Sequence, residues 1–153
     1  MSSNPTLLIR DAVASDLPAI VALLADDPFG REREAVPLDP AYARALAAIE
    51  ADPNNRQLVA IEGGDIVGCF QLTFIPGLGR RGRWRAQIES VRVATDRRGG
   101  GRGAAMMAWA IDRARERGCA LAQLTTDKRR DDAHRFYRRL GFVATHEGMK
   151  LLL

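Results

Sequence analysis

Three consecutive glycines separate a strand-like segment from a helix-like segment in the stretch RRGGGRGAAMM, residues 97–107. Glycine has no side chain to pack and loses more conformational freedom on folding than any other residue. The stretch therefore predicts a loop that needs bare backbone, either for left-handed conformations or for the close approach of a ligand. A flexible turn is the simpler alternative, because glycine-rich turns before helices are common.

The hydrophobic pattern around this loop predicts a mixed sheet between layers of helices. Alternating or continuous apolar runs predict strands at residues 6–13, 56–63, 65–75, 83–94, 119–126 and 142–153. Apolar residues at helical spacing predict helices at residues 17–27, 41–52, 104–118 and 131–141. The order of these elements is typical of the α/β class, and we expect a single domain over residues 1–153.

Length and composition limit the class of protein. A chain of 153 residues can bury roughly two-thirds of its unfolded surface. The longest apolar run, AAMMAWAI, is far shorter than the ~20 residues that span a bilayer, so we expect a cytoplasmic protein with no membrane partner. Cys69 and Cys119 lie in apolar segments and are interpreted as reduced core thiols. The histidines and cysteines lack metal-ligand spacing, so no metal is predicted.

The charge balance favours an anionic ligand. The net charge is +4, and only Lys128 and Lys150 among the 23 basic residues are lysines. This modest excess does not by itself indicate nucleic acid. The segment GRRGRWR, residues 79–85, is the most basic stretch, but no RNA-binding aromatic motif accompanies it. Nucleic acid is therefore not the expected partner.

The glycine loop has the properties of a phosphate site. A strand, a glycine-rich turn and the first turn of a helix present free N–H groups and the positive end of the helix dipole. Three arginines, Arg97, Arg98 and Arg102, would add positive charge. The glycine spacing fits neither the Rossmann fingerprint G-x-G-x-x-G nor a P-loop, which also needs a lysine.

Two motifs resemble a known family. The segment VRVATDRRGGGRGAAMM is similar to the acetyl-CoA-binding segment of the GCN5-related N-acetyltransferases (GNAT), with Arg98, Gly101 and Gly103 matching [QR]-x-x-G-x-[GA]. The family's later signature, A-x-x-F-Y followed by L-G-F, is matched by Ala133, Phe136, Tyr137, Leu140, Gly141 and Phe142. The resemblance covers nearly the whole chain and implies a three-layer GNAT-like fold, with six to seven strands flanked by about four helices.

The resemblance also implies that acetyl-CoA is the co-substrate. The strand backbone before the loop would bind the pantetheine arm, and the loop N–H groups would hold the pyrophosphate. The cofactor-binding residues implied in this way are Val91, Arg92, Val93, Arg98, Gly99, Gly100, Gly101, Arg102, Gly103 and Ala104. Arg130 replaces an asparagine found in many members; it could reach a phosphate of the adenosine end or belong to a solvated helix start.

Three residues are candidates for proton transfer. By resemblance, Tyr137 would protonate the leaving thiolate, although a core aromatic is the alternative. Glu89 is the first candidate for the general base, because strict alternation places it on the strand face of Val91 and Val93. The alternative for Glu89 is an ion pair with an arginine. His146 is the second candidate for the base, or else a surface histidine.

The expected activity is acetyl transfer to a primary amine of a small molecule, by direct attack in a ternary complex. The alternatives are acetylation of a protein N-terminus or lysine, and a non-catalytic acyl-CoA-binding module. By resemblance, residues 26–42 and 145–149 would form the acceptor site. Trp109 lies off the apolar stripe of its helix and is a candidate contact for a homodimer.

Overall fold

The strands form one mixed sheet. The computed structural model describes residues 6–34 and 38–153. The strands are β1 (Leu8–Asp11), β2 (Asn55–Glu62), β3 (Asp65–Ile75), β4 (Arg85–Val93) and β5 (Leu121–Gln123). They lie side by side in chain order, and every neighbouring pair is antiparallel except β4 and β5, which are parallel. Gly63 and Gly64, both with positive φ, form the tight turn that connects β2 to β3.

Five helices accompany the sheet in the described residues. They are α1 (Leu17–Ala25), α2 (Pro40–Ala51), α3 (Gly79–Gly82), α4 (Arg102–Glu116) and α5 (Asp131–Arg139). Two 3₁₀ turns, Ala14–Asp16 and Thr95–Arg97, precede α1 and follow β4. α3 is a single turn with left-handed residues inside it. The other four helices correspond to the four predicted from apolar spacing.

Helices cover both faces of the sheet in the part of the chain up to Gln123, which forms one compact unit. On one face, Leu17 and Ile20 of α1 and Leu46 of α2 pack in one cluster with Val59 and Cys69 of the sheet. On the other face lies α4, whose side toward the sheet is formed by buried residues, namely Met106, Met107, Ala110 and Ala114. The three-layer arrangement and the mixed sheet confirm the predicted α/β class.

The predicted number of strands is wrong. The described residues contain five strands rather than six to seven. The segment 142–153 contains no strand, and Val143, Met149 and Leu151 in it are exposed. An apolar pattern shows what a strand could bury, but a strand also needs a neighbour for its backbone hydrogen bonds. Residues 124–153 form a second compact unit, and the single domain over residues 1–153 stays a prediction.

Trp109 is packed by its own chain. Its ring lies edge-on to Phe70, with ring centroids 6.0 Å apart. The guanidinium groups of Arg56 and Arg113 lie 5.3 and 5.2 Å from the ring centroid. Because the Trp109 ring is covered by these residues of its own chain, it no longer indicates a subunit interface. The homodimer stays a prediction.

Cys69 is a buried core thiol as predicted, whereas Cys119 is only half-buried. Cys69 and Cys119 are both free, and burial raises the pKa of the Cys69 thiol to about 12. Cys69 is therefore uncharged at neutral pH and packs as a small apolar residue. None of the helices in residues 6–34 and 38–153 is both long and apolar enough to cross a bilayer.

Candidate active site

β4 contains a bulge at Ser90. Cys69 of β3 pairs with Arg92, and Gln71 pairs with Glu89, so two residues of β4 lie opposite a single residue of β3. Ser90 has a φ of 53°, a left-handed conformation that costs a residue other than glycine about 1 kcal/mol or more. Bulges re-aim the side chains that follow them, and they are common next to active sites.

The bulge corrects the predicted placement of Glu89. The β3 partners of Glu89 and Arg92 are two residues apart and share a face of the sheet, so Glu89 and Arg92 share that face as well. Val91 and Val93 lie on the opposite face. Strict alternation fails because the extra residue reverses the parity of the strand. No glycine marks the bulge in the sequence, so the pattern contained no signal for it.

Glu89 is exposed at this position. Among residues 6–34 and 38–153, it takes part in no ion pair, so the predicted alternative of pairing with an arginine is not found. A solvated carboxylate beside a bulge can accept a proton directly or through water. Its role as the general base stays a prediction.

The edge of β4 next to β5 opens after Gln87. The parallel ladder runs only from the Arg85–Leu121 pair to the Gln87–Gln123 pair, whereas β4 continues to Val93. Among the described residues of the unit that ends at Gln123, positions 88–93 have no ladder partner on this side. Backbone groups along such an edge can bind an extended ligand as an added strand would.

The glycine loop connects this open edge to α4. Gly99 and Gly101 have φ values of 81° and 78°, in the left-handed region that favours glycine. Gly101 is the N-cap of α4, which begins at Arg102 and has 15 residues. The first N–H groups of a helix have no acceptor within the helix and lie at the positive end of its dipole. The loop therefore has the geometry that suits a phosphate group.

Arg97 and Arg102 turn toward the protein. Both bind Glu62: Arg102 donates to the carboxylate over 2.7 and 3.0 Å, and Arg97 over 3.3 Å. Arg102 also donates to the carbonyl oxygen of Arg97 over 3.0 Å. Its guanidinium lies so close to Gly100 that a Cβ there would require the Arg102 side chain to shift.

Arg98 and Thr95 bind the end of α1. Arg98 donates to the carbonyl oxygens of Val93 and Asp26, over 3.1 and 3.3 Å. Thr95 donates to the Asp26 carboxylate from its hydroxyl and its backbone N–H, and the hydroxyl contact lowers the pKa of Asp26. The three loop arginines were expected to add free positive charge. Their guanidinium groups instead brace the loop, and the phosphate-binding groups that remain are backbone N–H groups.

A buried ion pair fixes the segment after α1 to β4. Asp27 and Arg92 approach to 3.1 Å between Oδ2 and Nε, and their side chains are 5% and 17% exposed. The second oxygen of Asp27 accepts from the backbone N–H groups of Phe29 and Gly30. The guanidinium of Arg92 is thus held beside the bulge. No signal in the sequence indicated the contacts of Asp26 and Asp27, since no motif marks either residue.

The predicted acceptor loop exposes charged side chains of both signs. Tyr42 donates to the Glu34 carboxylate over 2.5 Å. Arg31, Glu32 and Arg33 are exposed. Residues 35–37 of the predicted loop lie outside the described residues. Glu34 is therefore engaged by Tyr42, while Glu32 and both arginines face solvent.

The unit formed by residues 124–153 contains the other candidates. Tyr137 lies on α5 and is half-buried, with ring centroids of Phe136 and Phe142 at 5.1 and 5.9 Å. His146 is exposed, and its Nδ1 lies 2.7 Å from the Thr145 hydroxyl. Arg130 is the N-cap residue of α5. The packing fixes the Tyr137 ring, and the roles predicted for these residues stay predictions.

Comparisons with known proteins agree with these features. Residues 17–142 match the profile of the acetyltransferase (GNAT) family. An aminoalkylphosphonate N-acetyltransferase of Salmonella typhimurium is 32% identical over 143 residues, which are 93% of this chain and 88% of that protein. The chain belongs to the GNAT family. It is an acetyl-transferring enzyme, and the family uses acetyl-CoA.

Solved structures support the same fold. A transcriptional regulator from Bacillus halodurans C-125 is 51% identical, with a TM-score of 0.93 over 97% of this chain and 100% of that one. An acetyltransferase, described as putative, from Agrobacterium tumefaciens C58 is 31% identical, with a TM-score of 0.81 over 95% of this chain and 99% of that one. The mixed-sheet architecture is thus shared along nearly the full length of these chains.

Proposed function

We propose that the chain is an acetyl-CoA-dependent N-acetyltransferase that modifies the primary amine of a small molecule. The observation that carries the proposal is the continuous path from the open edge of β4 to the glycine loop at the N-terminus of α4. Acetyl-CoA combines an amide-bearing arm, which suits a strand edge, with a pyrophosphate, which suits a helix N-terminus. Its cytoplasmic location stays a prediction.

The residues that would bind acetyl-CoA fit the group. The backbone of Val91, Arg92 and Val93 forms the open edge. The N–H groups of residues 98–104 belong to the glycine loop and the first turn of α4. The left-handed glycines keep this surface free of side chains. When bound, acetyl-CoA supplies an acetyl group as a reactive thioester. Arg130 stays a candidate for a phosphate contact.

The chain must then move two protons. The acceptor arrives as an ammonium ion, and only the neutral amine is a nucleophile, so a base removes one proton. Glu89 performs this step, directly or through a water molecule, with His146 as the other candidate. As the new C–N bond forms and the C–S bond breaks, Tyr137 donates a proton to the departing sulfur. The nitrogen loses its second proton as the amide forms, and a proton taken up from solvent restores the Tyr137 hydroxyl.

An amine with an anionic group fits the acceptor side. The Salmonella relative is named for aminoalkylphosphonates, and its alignment covers nearly the whole of this chain. The exposed Arg31 and Arg33 of the predicted acceptor loop could bind a phosphonate with charge-assisted hydrogen bonds. Protein acetylation and non-catalytic binding are the alternatives that the following assay distinguishes.

We expect the protein to release CoA thiol with 2-aminoethylphosphonate at a kcat/KM about 10- to 100-fold above that with propylamine. The reason is that a hydrogen bond to a charged group contributes about 1.5–3 kcal/mol, and propylamine lacks the phosphonate. The assay measures free thiol over a panel that also contains peptides with free N-termini and lysines. Faster turnover of a peptide would move the function to protein acetylation, and no turnover with any amine would favour a binding module.

The base is tested by the pH dependence of kcat/KM, which we expect to rise with one ionisation. Glu89→Gln should remove this rising limb, because glutamine keeps the shape of the side chain but cannot accept the proton. His146→Gln is the matched control and should keep the limb. The opposite pattern would assign the base to His146. A limb retained in both variants would mean that the amine binds already neutral.

A further inference from the structure

We propose that Glu62 is a positioning residue for acetyl-CoA, because through Arg102 it holds the glycine loop in the conformation that receives the pyrophosphate. This inference rests on the proposed function, since it assumes that the loop binds CoA. Glu62 lies at the end of β2, 40 residues before Arg102. The family motif leaves position 102 unspecified, so the motif by itself does not assign this contact.

One carboxylate oxygen of Glu62 accepts hydrogen bonds from two arginines. This oxygen, Oε2, accepts from Nε and one terminal nitrogen of Arg102, and from one terminal nitrogen of Arg97. The side chains of Glu62 and Arg102 are only 22% and 20% exposed. The hydrogen bond from Arg102 lowers the pKa of Glu62, so the carboxylate stays charged at neutral pH. The β2–β3 hairpin, a rigid ladder, is thereby attached to the loop.

Arg102 transmits this attachment to the loop backbone. Its remaining terminal nitrogen donates to the carbonyl oxygen of Arg97, on the far side of the three glycines. The guanidinium lies against Gly100, where a Cβ would require Arg102 to shift from this position. One side chain thus spans the loop from the first turn of α4 back to the 3₁₀ turn. This contact restricts the backbone conformations of the three glycines between Arg97 and Arg102.

Two effects of removing Glu62 oppose each other. Freed arginines would attract the phosphates more strongly, but they lie near the surface, where water and salt screen charges. The loop would also regain the backbone freedom of consecutive glycines, and ligand binding would have to order it again. Since preorganisation lowers the ordering cost that binding has to meet, we expect the loss of order to outweigh the screened gain in charge.

The experiment is a calorimetric titration with CoA of the full chain, four variants and one control variant. Glu62→Gln and Arg102→Gln should each raise the Kd about 10-fold, and the double variant should be no worse than either, because both break one shared ion pair. Arg102→Lys should resemble Arg102→Gln, since lysine keeps the charge but cannot bridge two acceptors in a plane. In turnover, Glu62→Gln should raise the KM for acetyl-CoA about 10-fold and leave kcat within twofold.

Asp65→Asn is the matched control in the same hairpin. Asp65 approaches Arg97 to 3.4 Å but does not bind Arg102, so the variant should keep the Kd within twofold. An unchanged or lower Kd for Glu62→Gln, or additive effects in the double variant, would overturn the inference while leaving the proposed function intact. A wild-type protein that does not bind CoA would overturn the proposed function first. Circular dichroism spectra identify any variant that fails to fold. If Glu62→Gln is such a variant, the Kd of Arg102→Lys tests the inference, because a Kd within twofold of the wild type would overturn it.

Discussion

Gly101→Glu is expected to weaken CoA binding by at least about 100-fold, to the limit of calorimetric detection. Gly101 is the N-cap of α4, and its φ of 78° is strained for any residue with a side chain. A carboxylate there would also stand where the pyrophosphate is proposed to bind. Two unit charges 4 Å apart repel by about 4 kcal/mol at an effective dielectric constant of 20, which alone corresponds to roughly 1,000-fold.

The strain can be separated from the charge by a control at the other end of the same helix. Gly118 has a φ of 77°, and a Cβ there would meet nothing within 4 Å. Gly118→Glu should therefore lower the midpoint of thermal unfolding about as much as Gly101→Glu but keep the Kd for CoA within twofold. Gly103→Glu, at the second residue of α4, should weaken CoA binding like Gly101→Glu. If both of these variants bind CoA normally, the loop is not the pyrophosphate site.

Local signals in the sequence predicted the elements that carry the site. The strand predicted at residues 65–75 is Asp65–Ile75 in the structure, and the helix predicted at residues 104–118 is Arg102–Glu116. Each rests on a pattern that repeats within a few residues and on glycines at its ends. The position of the glycine loop between β4 and α4 follows from the same patterns.

Contacts between distant segments could not be predicted in this way. Glu62 and Arg102 are 40 residues apart, and Asp26 binds a threonine 69 residues later. The bulge at Ser90 arises from the pairing of two strands and leaves no mark in either one. Because these contacts pair the loop arginines with groups of the protein, the prediction of free positive charge in the loop was wrong. Because the bulge changes the alternation of β4, the prediction placed Glu89 on the wrong face of the sheet.

Tyr137→Phe is expected to lower kcat by about 10-fold to 1,000-fold, with the KM for acetyl-CoA nearly unchanged. The substitution removes the proton donor, and general acid catalysis contributes a factor of this order. The ring itself is retained, and its edge-on contacts with Phe136 and Phe142 should survive. Initial rates over a range of acetyl-CoA concentrations separate the two parameters.

Phe142→Leu distinguishes the hydroxyl of Tyr137 from the packing of its ring. This variant removes one aromatic neighbour and keeps the hydroxyl, so it should lower stability by about 1 kcal/mol while kcat stays within about threefold. A fall in kcat as large as that of Tyr137→Phe would mean that ring position, and not proton donation, limits the reaction. If Tyr137→Phe itself keeps kcat within twofold, water protonates the departing sulfur. In that case the chain accelerates transfer chiefly by holding amine and thioester together, since proximity alone can contribute several kcal/mol.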